Sequence, residues 1–111
     1  KQMSKVFRNQ NTKNFELIAG DITKTLPKYI KKNPKLKISL LNIDIDFVES
    51  TFCSLEYLYP RVSTGGIILL DNYGAFHGDT TGVDLYFKKI KKKPLIRRFP
   101  FTRRPCYIIK K

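Results

Sequence analysis

The sequence predicts an α/β domain whose sheet is mostly parallel and ends in an antiparallel hairpin. Two short, continuous apolar runs, residues 38–43 and 67–70, are separated by a stretch with helical periodicity. Such runs, joined by a helical crossover, are typical of parallel strands that are buried on both faces. Two further apolar runs, residues 95–99 and 106–110, are separated by a short segment rich in proline and arginine, which favours a hairpin.

The composition is that of one modest folded domain with an excess of positive charge. The 111 residues include 22 lysines and arginines against 9 acidic residues, and 13% of them are aromatic. The aromatic share argues against a disordered chain. The net charge of +13 raises nucleic acid, phosphate and membrane surfaces as partners. We nevertheless do not expect a nucleic-acid partner, because many of the cations fall at helix ends and in the tail, where they are usually solvated.

The cysteines and the hydropathy of the sequence predict the cellular compartment of the protein. Cys53 and Cys106 lie in different predicted elements and lack the spacing of a metal site or a disulfide framework, which favours a reducing cytoplasm. No apolar run approaches the roughly 18 residues of a membrane span. The first ten residues lack the apolar core of a signal peptide. We therefore expect neither membrane insertion nor export. Because the first residue is Lys1, we expect the chain to begin inside a longer reading frame or after processing.

The amino-terminal half predicts a strand, a helix and a second strand. Residues 15–19, with the sequence FELIA, are apolar and are followed by Gly20, which predicts a strand. The next segment predicts a short basic helix with Pro27 in its first turn. Residues 38–43 are then the first strand of the crossover unit.

The second half predicts two helices around a strand. Asp46 and Glu49 have the spacing of a capping box, and apolar residues then recur at helical steps as far as residue 59. The Thr-Gly-Gly segment at residues 64–66 predicts a turn into the second strand. Residues 73–81 contain two glycines and the only histidine, which predicts a loop or flap. Apolar residues within 83–90 have helical spacing and predict the last helix.

Polar residues follow the two parallel strands. Asp44 comes directly after the first strand, and Asp71 and Asn72 come after the second. Neighbouring strands are about 4.8 Å apart, and ligands of open α/β sheets bind beyond the strand ends. Such oxygen donors suit Mg²⁺ or Mn²⁺, and an ion there could lower the pKa of a substrate hydroxyl. The alternative is that strand-end carboxylates only cap the next helix, which we prefer for Asp46.

Other polar residues are weaker candidates. His77 could be a base or a substrate ligand, although a solvated loop histidine is more common. Arg103 and Arg104 could bind an anionic substrate or simply be exposed. Asp21 could bind a ligand amine or form an ordinary cap. The sequence has no glycine-rich phosphate loop, nucleophile elbow or HExxH motif, so the corresponding enzyme classes have no support.

Several short motifs together resemble the macrocin O-methyltransferase (TylF-type) family of class I S-adenosylmethionine-dependent methyltransferases. They are Gly20-Asp21, Thr-Leu-Pro at residues 25–27, NIDIDFVEST at residues 42–51 and LEYLYPRVSTGGIILLDNYG at residues 55–74. The resemblance covers about residues 15–84. It implies a Rossmann-like, three-layer α/β sandwich, of which residues 1–111 resemble a single, partial domain from the carboxyl-terminal half.

The resemblance also implies a reaction, which is methyl transfer from S-adenosylmethionine to a hydroxyl of a small molecule, either a sugar or a natural product. Asp44, Asp71 and Asn72 would then be ligands of Mg²⁺ or Mn²⁺, and Asp44 would also help to deprotonate the acceptor. Asn72 stands where the family usually has a second Asp. The residues implied to line the adenine pocket are Gly20, Asp21 and Ile22.

One part of the family pattern is absent from the sequence. Class I methyltransferases hold the methionine and ribose parts of the cofactor with a glycine-rich loop after strand 1 and an acidic residue after strand 2, and this chain has neither. In the family strand order 3-2-1-4-5-7-6, those two strands would separate residues 15–19 from residues 38–43. We therefore expect altered strand pairing, a homo-oligomer or exposed sheet edges, with weak cofactor binding by this chain alone. The alternative function is a non-catalytic basic module that binds polyanions or pairs with a missing half.

Overall fold

The computed structural model describes residues 14–74, 77–102 and 105–111. The elements in chain order are α1 (Ile22–Lys32), β1 (Ile38–Ile43), α2 (Val48–Leu58), a 3₁₀ turn (Tyr59–Arg61), β2 (Val62–Leu70), α3 (His77–Lys89), β3 (Arg97–Arg98) and β4 (Cys106–Ile109). The strands form one sheet in the order β1-β2-β4-β3. β1 is parallel to β2, and the other two pairs are antiparallel. The predicted α/β class, the parallel crossover and the carboxyl-terminal hairpin are therefore confirmed, in a mixed sheet.

Helices α2 and α3 cover one face of the sheet. Strand side chains alternate between the two faces, and the buried apolar ones that point to the helices are 8% exposed or less. Edge-to-face contacts among Tyr59, Tyr86 and Phe87, with ring centroids 5.1 to 5.8 Å apart, fill the space between the helices. The main members of this core are Leu41, Ile43, Leu55, Ile68, Leu70, Val83, Tyr86, Phe87, Cys106 and Ile108.

The opposite face of the sheet is uncovered by the described residues. Leu40, Ile67 and Ile109 lie next to one another in register, and they are 59%, 37% and 39% exposed. Of the three layers in the predicted sandwich, the described chain therefore provides the sheet and one helical layer. Among the described strands, β1 is the last on its side of the sheet, so the sheet corresponds to the 4-5-7-6 portion of the predicted strand order.

The strand predicted at residues 15–19 is wrong. The segment is irregular, and its Leu17 and Ile18 side chains are 46% and 50% exposed. A strand is stabilised by backbone hydrogen bonds to a neighbouring strand, and within the described sheet no strand pairs with this segment. Its apolar composition is typical of a strand, but the partner that would make it one is not among the described residues.

Two helices begin earlier than predicted. α1 starts directly after Asp21, whose side chain accepts a hydrogen bond from the Thr23 backbone N–H at 3.0 Å. Pro27 therefore lies inside the helix, and its predicted place in the first turn is wrong. α3 starts at His77, so the predicted flap of residues 73–81 is shorter than its glycine content suggested.

β2 runs through the Gly-Gly pair that was predicted to be a turn. The register between β1 and β2 shifts at this point, and Gly65 has a positive φ of 85°, as in a β-bulge. The Gly65 N–H donates to the Lys110 carbonyl at 2.7 Å, and the Lys110 N–H donates to the Gly66 carbonyl at 2.9 Å. Pairing with a distant segment thus keeps the glycines in the sheet.

Two further observations concern the cysteines and the hydropathy of the helices. Cys53 and Cys106 are both free thiols, in agreement with the prediction. Within the described ranges, every helix is too short or too polar to cross a membrane.

Candidate active site

The carboxyl ends of β1 and β2 lie side by side and bring the predicted polar residues to one edge of the sheet. Ile43 pairs with Leu70, and the Asp71 backbone N–H donates to the Ile43 carbonyl at 3.0 Å. The Asn72 side chain is 6% exposed, and its amide nitrogen donates to Asp44 Oδ1 at 3.2 Å. The structure therefore brings the side chains of Asp44 and Asn72 together and joins Asp71 to the end of β1 through its backbone.

Asp46 also belongs to this cluster, contrary to prediction. The Asn72 amide nitrogen donates to Asp46 Oδ1 at 3.0 Å. The residue that caps α2 is Phe47, and it makes no side-chain cap hydrogen bond, so the predicted capping box of Asp46 and Glu49 is wrong. In an extended chain, residues two apart point to the same side. The Asp-x-Asp spacing at residues 44–46 is the signal that could have placed both carboxylates at the site.

A glycine at the start of α3 allows that helix to contact the backbone beside the cluster. A Cβ on Gly78 would lie 2.0 Å from the Asp46 carbonyl oxygen, and one on Gly82 would lie 2.8 Å from Thr51 Cβ. The buried Thr51 hydroxyl donates to the Ile45 carbonyl at 3.5 Å. α2 and α3 together therefore fix the chain that carries Asp46.

The chain after Asn72 is tied to α3. The Tyr73 hydroxyl donates to Asp84 Oδ1 at 2.7 Å, and the Gly74 N–H donates to Thr80 Oγ1 at 2.8 Å. Burial, with the Asp84 contact, raises the pKa of Tyr73 to about 12, so the phenol remains a hydrogen-bond donor at neutral pH. Asn72 is thus held between a strand on one side and an anchored turn on the other.

Gly20 and Asp21 lie where α1 approaches the start of α2. Gly20 has a positive φ of 126°, and Asp21 Oδ1 accepts hydrogen bonds from the Thr23 N–H and hydroxyl at 3.0 and 2.8 Å. These hydrogen bonds lower the pKa of Asp21. Asp21 and Thr23 also line a cavity of about 310 Å³ with residues 47–50. The structure shows the cap that the sequence left as one of two alternatives, and it places Ile22 as the first residue of α1.

Three weaker candidates stay predictions. Arg103, Arg104 and the side chain of His77 lie outside the described part of the structure. Among the side chains that are described, no three or more His, Cys, Asp or Glu residues form a cluster that could hold a metal ion. The cluster at the strand ends instead consists of two carboxylates and one amide, Asp44, Asp46 and Asn72.

Sequence comparison relates the chain to known methyltransferases. The model of the macrocin-O-methyltransferase (TylF) family matches residues 3–97. Demethyldecarbamoylnovobiocin O-methyltransferase of Streptomyces niveus is 34% identical over 68 residues, which are 58% of this chain and 26% of that protein. A tetracenomycin-C 4'-O-methyltransferase of Streptomyces olivaceus, named for its dimethoxy-rhamnosyl substrate, is 35% identical over 66 residues, which are 54% of this chain and 25% of that protein.

Structural comparison agrees with the family match. The apo structure of CalS11, a TDP-rhamnose 3'-O-methyltransferase of calicheamicin biosynthesis, aligns with a TM-score of 0.70 and 27% identity over 84% of this chain and 40% of CalS11. The chain therefore spans about a quarter of the curated relatives that it matches and under half of CalS11. Its match over residues 3–97, with strands in the predicted family order, shows that the chain belongs to the macrocin-O-methyltransferase (TylF) family.

Proposed function

We propose that this chain supplies the metal and acceptor side of an O-methyltransferase that uses S-adenosylmethionine and a divalent cation to methylate a hydroxyl of a sugar or natural product. The observation that carries the proposal is the convergence of Asp44, Asp46 and Asn72 at the carboxyl ends of β1 and β2. Ligands of open α/β sheets bind at such strand ends. Two of the similar proteins are named as methyltransferases of rhamnose-containing compounds, which supports this class of acceptor.

The donor set at these strand ends fits a hard divalent cation. One buried amide contacts two carboxylate oxygens, so Asp44 and Asp46 face the same point. A half-turn of the Asn72 amide would present its oxygen there in place of its nitrogen. Asp44, Asn72 and the adjacent Asp71 are the residues that would hold Mg²⁺ or Mn²⁺, since both ions prefer oxygen ligands. A cation bound there supplies Lewis acidity that lowers the pKa of the acceptor hydroxyl.

The chain's own carboxylates would handle the proton. Asp44 accepts the proton of the acceptor hydroxyl as the methyl group is transferred, which makes the hydroxyl oxygen a better nucleophile. Asp46 lies at the same amide and provides a second carboxylate that orients the acceptor. Hydrogen bonds of Tyr73 and Gly74 to α3 keep Asn72 in place during the reaction.

The cavity between α1 and α2 is the proposed binding site for the adenine end of the cofactor. Gly20 directly precedes Asp21 and has a positive φ of 126°. Both Thr23 bonds use Asp21 Oδ1, which leaves Oδ2 for the amine of an adenine. Residues 47–50 form the facing wall. Gly20, Asp21 and Ile22 are thus the residues that we assign to the adenine end of S-adenosylmethionine.

Calorimetric titration with Mn²⁺ tests the metal assignment. We expect one site in the wild type, with affinity at least tenfold weaker in Asp44→Ala and in Asp71→Ala, because each variant loses a carboxylate ligand. Glu56→Ala is the matched control, since Glu56 is an acidic residue on α2 that pairs with Lys89 and lies away from the strand ends. Equal binding by the wild type and both aspartate variants would remove the metal from the proposal.

A further inference from the structure

A groove along β4 is lined by cations. Its volume is about 390 Å³, and its floor includes the apolar side chains of Leu95 and Ile109. None of its described lining residues is acidic. The cations around it are Lys92, Lys93, Arg97 and Lys111.

The carboxylates of the candidate active site lie at the opposite end of the sheet from this groove. Asp44 and Asp46 lie at the carboxyl ends of the parallel strands, whereas Lys110 and Lys111 follow β4 at the other end of the sheet, next to the Gly65–Gly66 bulge. Burial and the charge of Lys92 lower the pKa of Lys110. The lining of the groove is therefore cationic, and Asp84 lies outside it, in the neighbouring cavity that also contains Lys92 and Lys93.

Aromatic rings continue the same surface beyond the groove. Arg97 pairs directly with Tyr107, so their side chains share the uncovered face of the sheet. The Phe99 ring lies 4.9 Å from the Tyr107 ring and 5.8 Å from the Phe101 ring, at tilts of 35° and 34°. Phe101 is 84% exposed. A row of tilted rings therefore begins where the cationic groove ends.

We propose that the groove along β4, together with the adjoining rings on the uncovered face of the sheet, binds single-stranded nucleic acid. The phosphates would lie along the groove cations, and a base would stack on Phe101 and Phe99. Proteins that bind single strands without sequence preference combine a positive groove with aromatic stacking platforms in this way. The sequence alone suggested dispersed, solvated cations, whereas the structure gathers four of them beside exposed rings.

The positive charge and the concave shape of the groove favour single-stranded nucleic acid over a second copy of the chain and over a membrane surface. A second copy of the chain would bring the same four cations against one another, which opposes association on this face. An anionic membrane would be contacted by exposed cations anywhere on the protein, and it would not need a concave groove beside a row of rings. A flexible strand with one phosphate per base can follow the groove and stack at its end.

The predicted binding of phosphates by the groove cations is tested by fluorescence anisotropy. A labelled oligouridylate of about 20 nucleotides is titrated with the protein at KCl concentrations of about 50 to 200 mM. Four phosphate contacts predict a slope of about −2.8 for log K against log salt. Lys92→Ala/Lys93→Ala should weaken binding at least tenfold and reduce the slope to about −1.4. The control, Lys28→Ala/Lys31→Ala, removes the same charge from exposed positions of α1. Equal losses in the two double variants would overturn the proposal, because net charge alone would then explain binding.

A second pair of variants tests stacking. Phe101→Ala should weaken oligouridylate binding about fivefold or more, whereas Leu85→Ala, which truncates an apolar side chain that is 45% exposed on α3, should not. Both residues are exposed, so circular dichroism should show unchanged folding. Unchanged binding in Phe101→Ala would overturn the stacking assignment.

Binding to phosphatidylserine vesicles without binding to the oligonucleotide would identify the face as a membrane surface and overturn the whole proposal.

Discussion

A single buried amide organises the candidate active site. Asn72 donates to two carboxylates and is 6% exposed. A buried donor without an acceptor costs about 1–3 kcal/mol, so the native fold favours positions of Asp44 and Asp46 close to this amide. The side chains that would bind a cation are therefore arranged by hydrogen bonds within the chain.

A substitution at Gly78 tests whether the packing of α3 determines the positions of Asp46 and its neighbours in the candidate site. In Gly78→Ala the new Cβ would meet the Asp46 carbonyl, so either α3 or the Asp46 segment must move. We expect a loss of about 1–3 kcal/mol in the free energy of unfolding, measured by urea denaturation, together with weaker Mn²⁺ binding. Leu85→Ala is the control, since Leu85 also belongs to α3 and its side chain is 45% exposed. Unchanged Mn²⁺ affinity in a folded Gly78→Ala would show that α3 does not position Asp46.

The residues of the candidate site differ in how well the sequence predicts their positions. The placement of Asp44, Asp71 and Asn72 beyond the strand ends could be predicted because each follows a recognisable apolar strand. Asp46 could not, because its spacing to Glu49 also matches a capping box, and only the position of Asn72 decides between the two. Local patterns do not show which distant amide will be near a carboxylate.

At the scale of elements, the two faces of the sheet have opposite environments. Leu55 of α2 is fully buried between the sheet and α3, while Leu40 of β1 is 59% exposed on the other face. Both are leucines in regular secondary structure. Their contribution to stability should therefore differ because of the layer that covers one of them.

We expect Leu55→Ala to lower the free energy of unfolding by about 2–5 kcal/mol, because it leaves a cavity in the core. Leu40→Ala should change it by less than about 0.5 kcal/mol, as is usual for surface substitutions. Chemical denaturation of the two variants measures both values. A large loss in Leu40→Ala would mean that the face of the sheet opposite the helices is covered in solution.

The ends of a helix or strand were predicted best where they depend only on the local sequence and not on pairing with a distant segment. β1 was predicted with its observed ends, Ile38–Ile43, because it is a bounded apolar run. β2 was predicted too short because Gly65 and Gly66 have turn chemistry, which pairing with Lys110 overrides. Residues 15–19 were predicted as a strand because composition reports the preference of a segment and not the presence of a partner.

The whole molecule is one helical layer on a sheet whose β1 edge has no further described strand. In its family context this half carries the proposed acceptor and metal site, and the chain lacks the glycine-rich loop that holds the methionine part of the cofactor. Recognition of that loop by sequence is straightforward, and so its absence could be predicted. The arrangement of the remaining strands could be predicted only through the family resemblance, since composition does not specify strand order.

We therefore expect the 111-residue chain to bind S-adenosylmethionine weakly, with a Kd of about 1 mM or higher, which corresponds to about −4.1 kcal/mol or less favourable. Only the adenine end of the cofactor has proposed contacts in this chain. Isothermal titration calorimetry measures the affinity, with Asp21→Ala as the variant that should abolish any residual binding. Tight one-to-one binding would show that this chain holds the whole cofactor.

The strand order also constrains how the sheet can form during translation. β4 lies between β2 and β3, although both are synthesised before it. A nascent chain that has emerged only as far as Arg97–Arg98 therefore has no partner for β3, and one edge of β2 is still open. Only when Cys106–Ile109 emerges can it insert between them and accept hydrogen bonds on both sides. Until then the apolar carboxyl half of β2 is accessible to ribosome-associated chaperones.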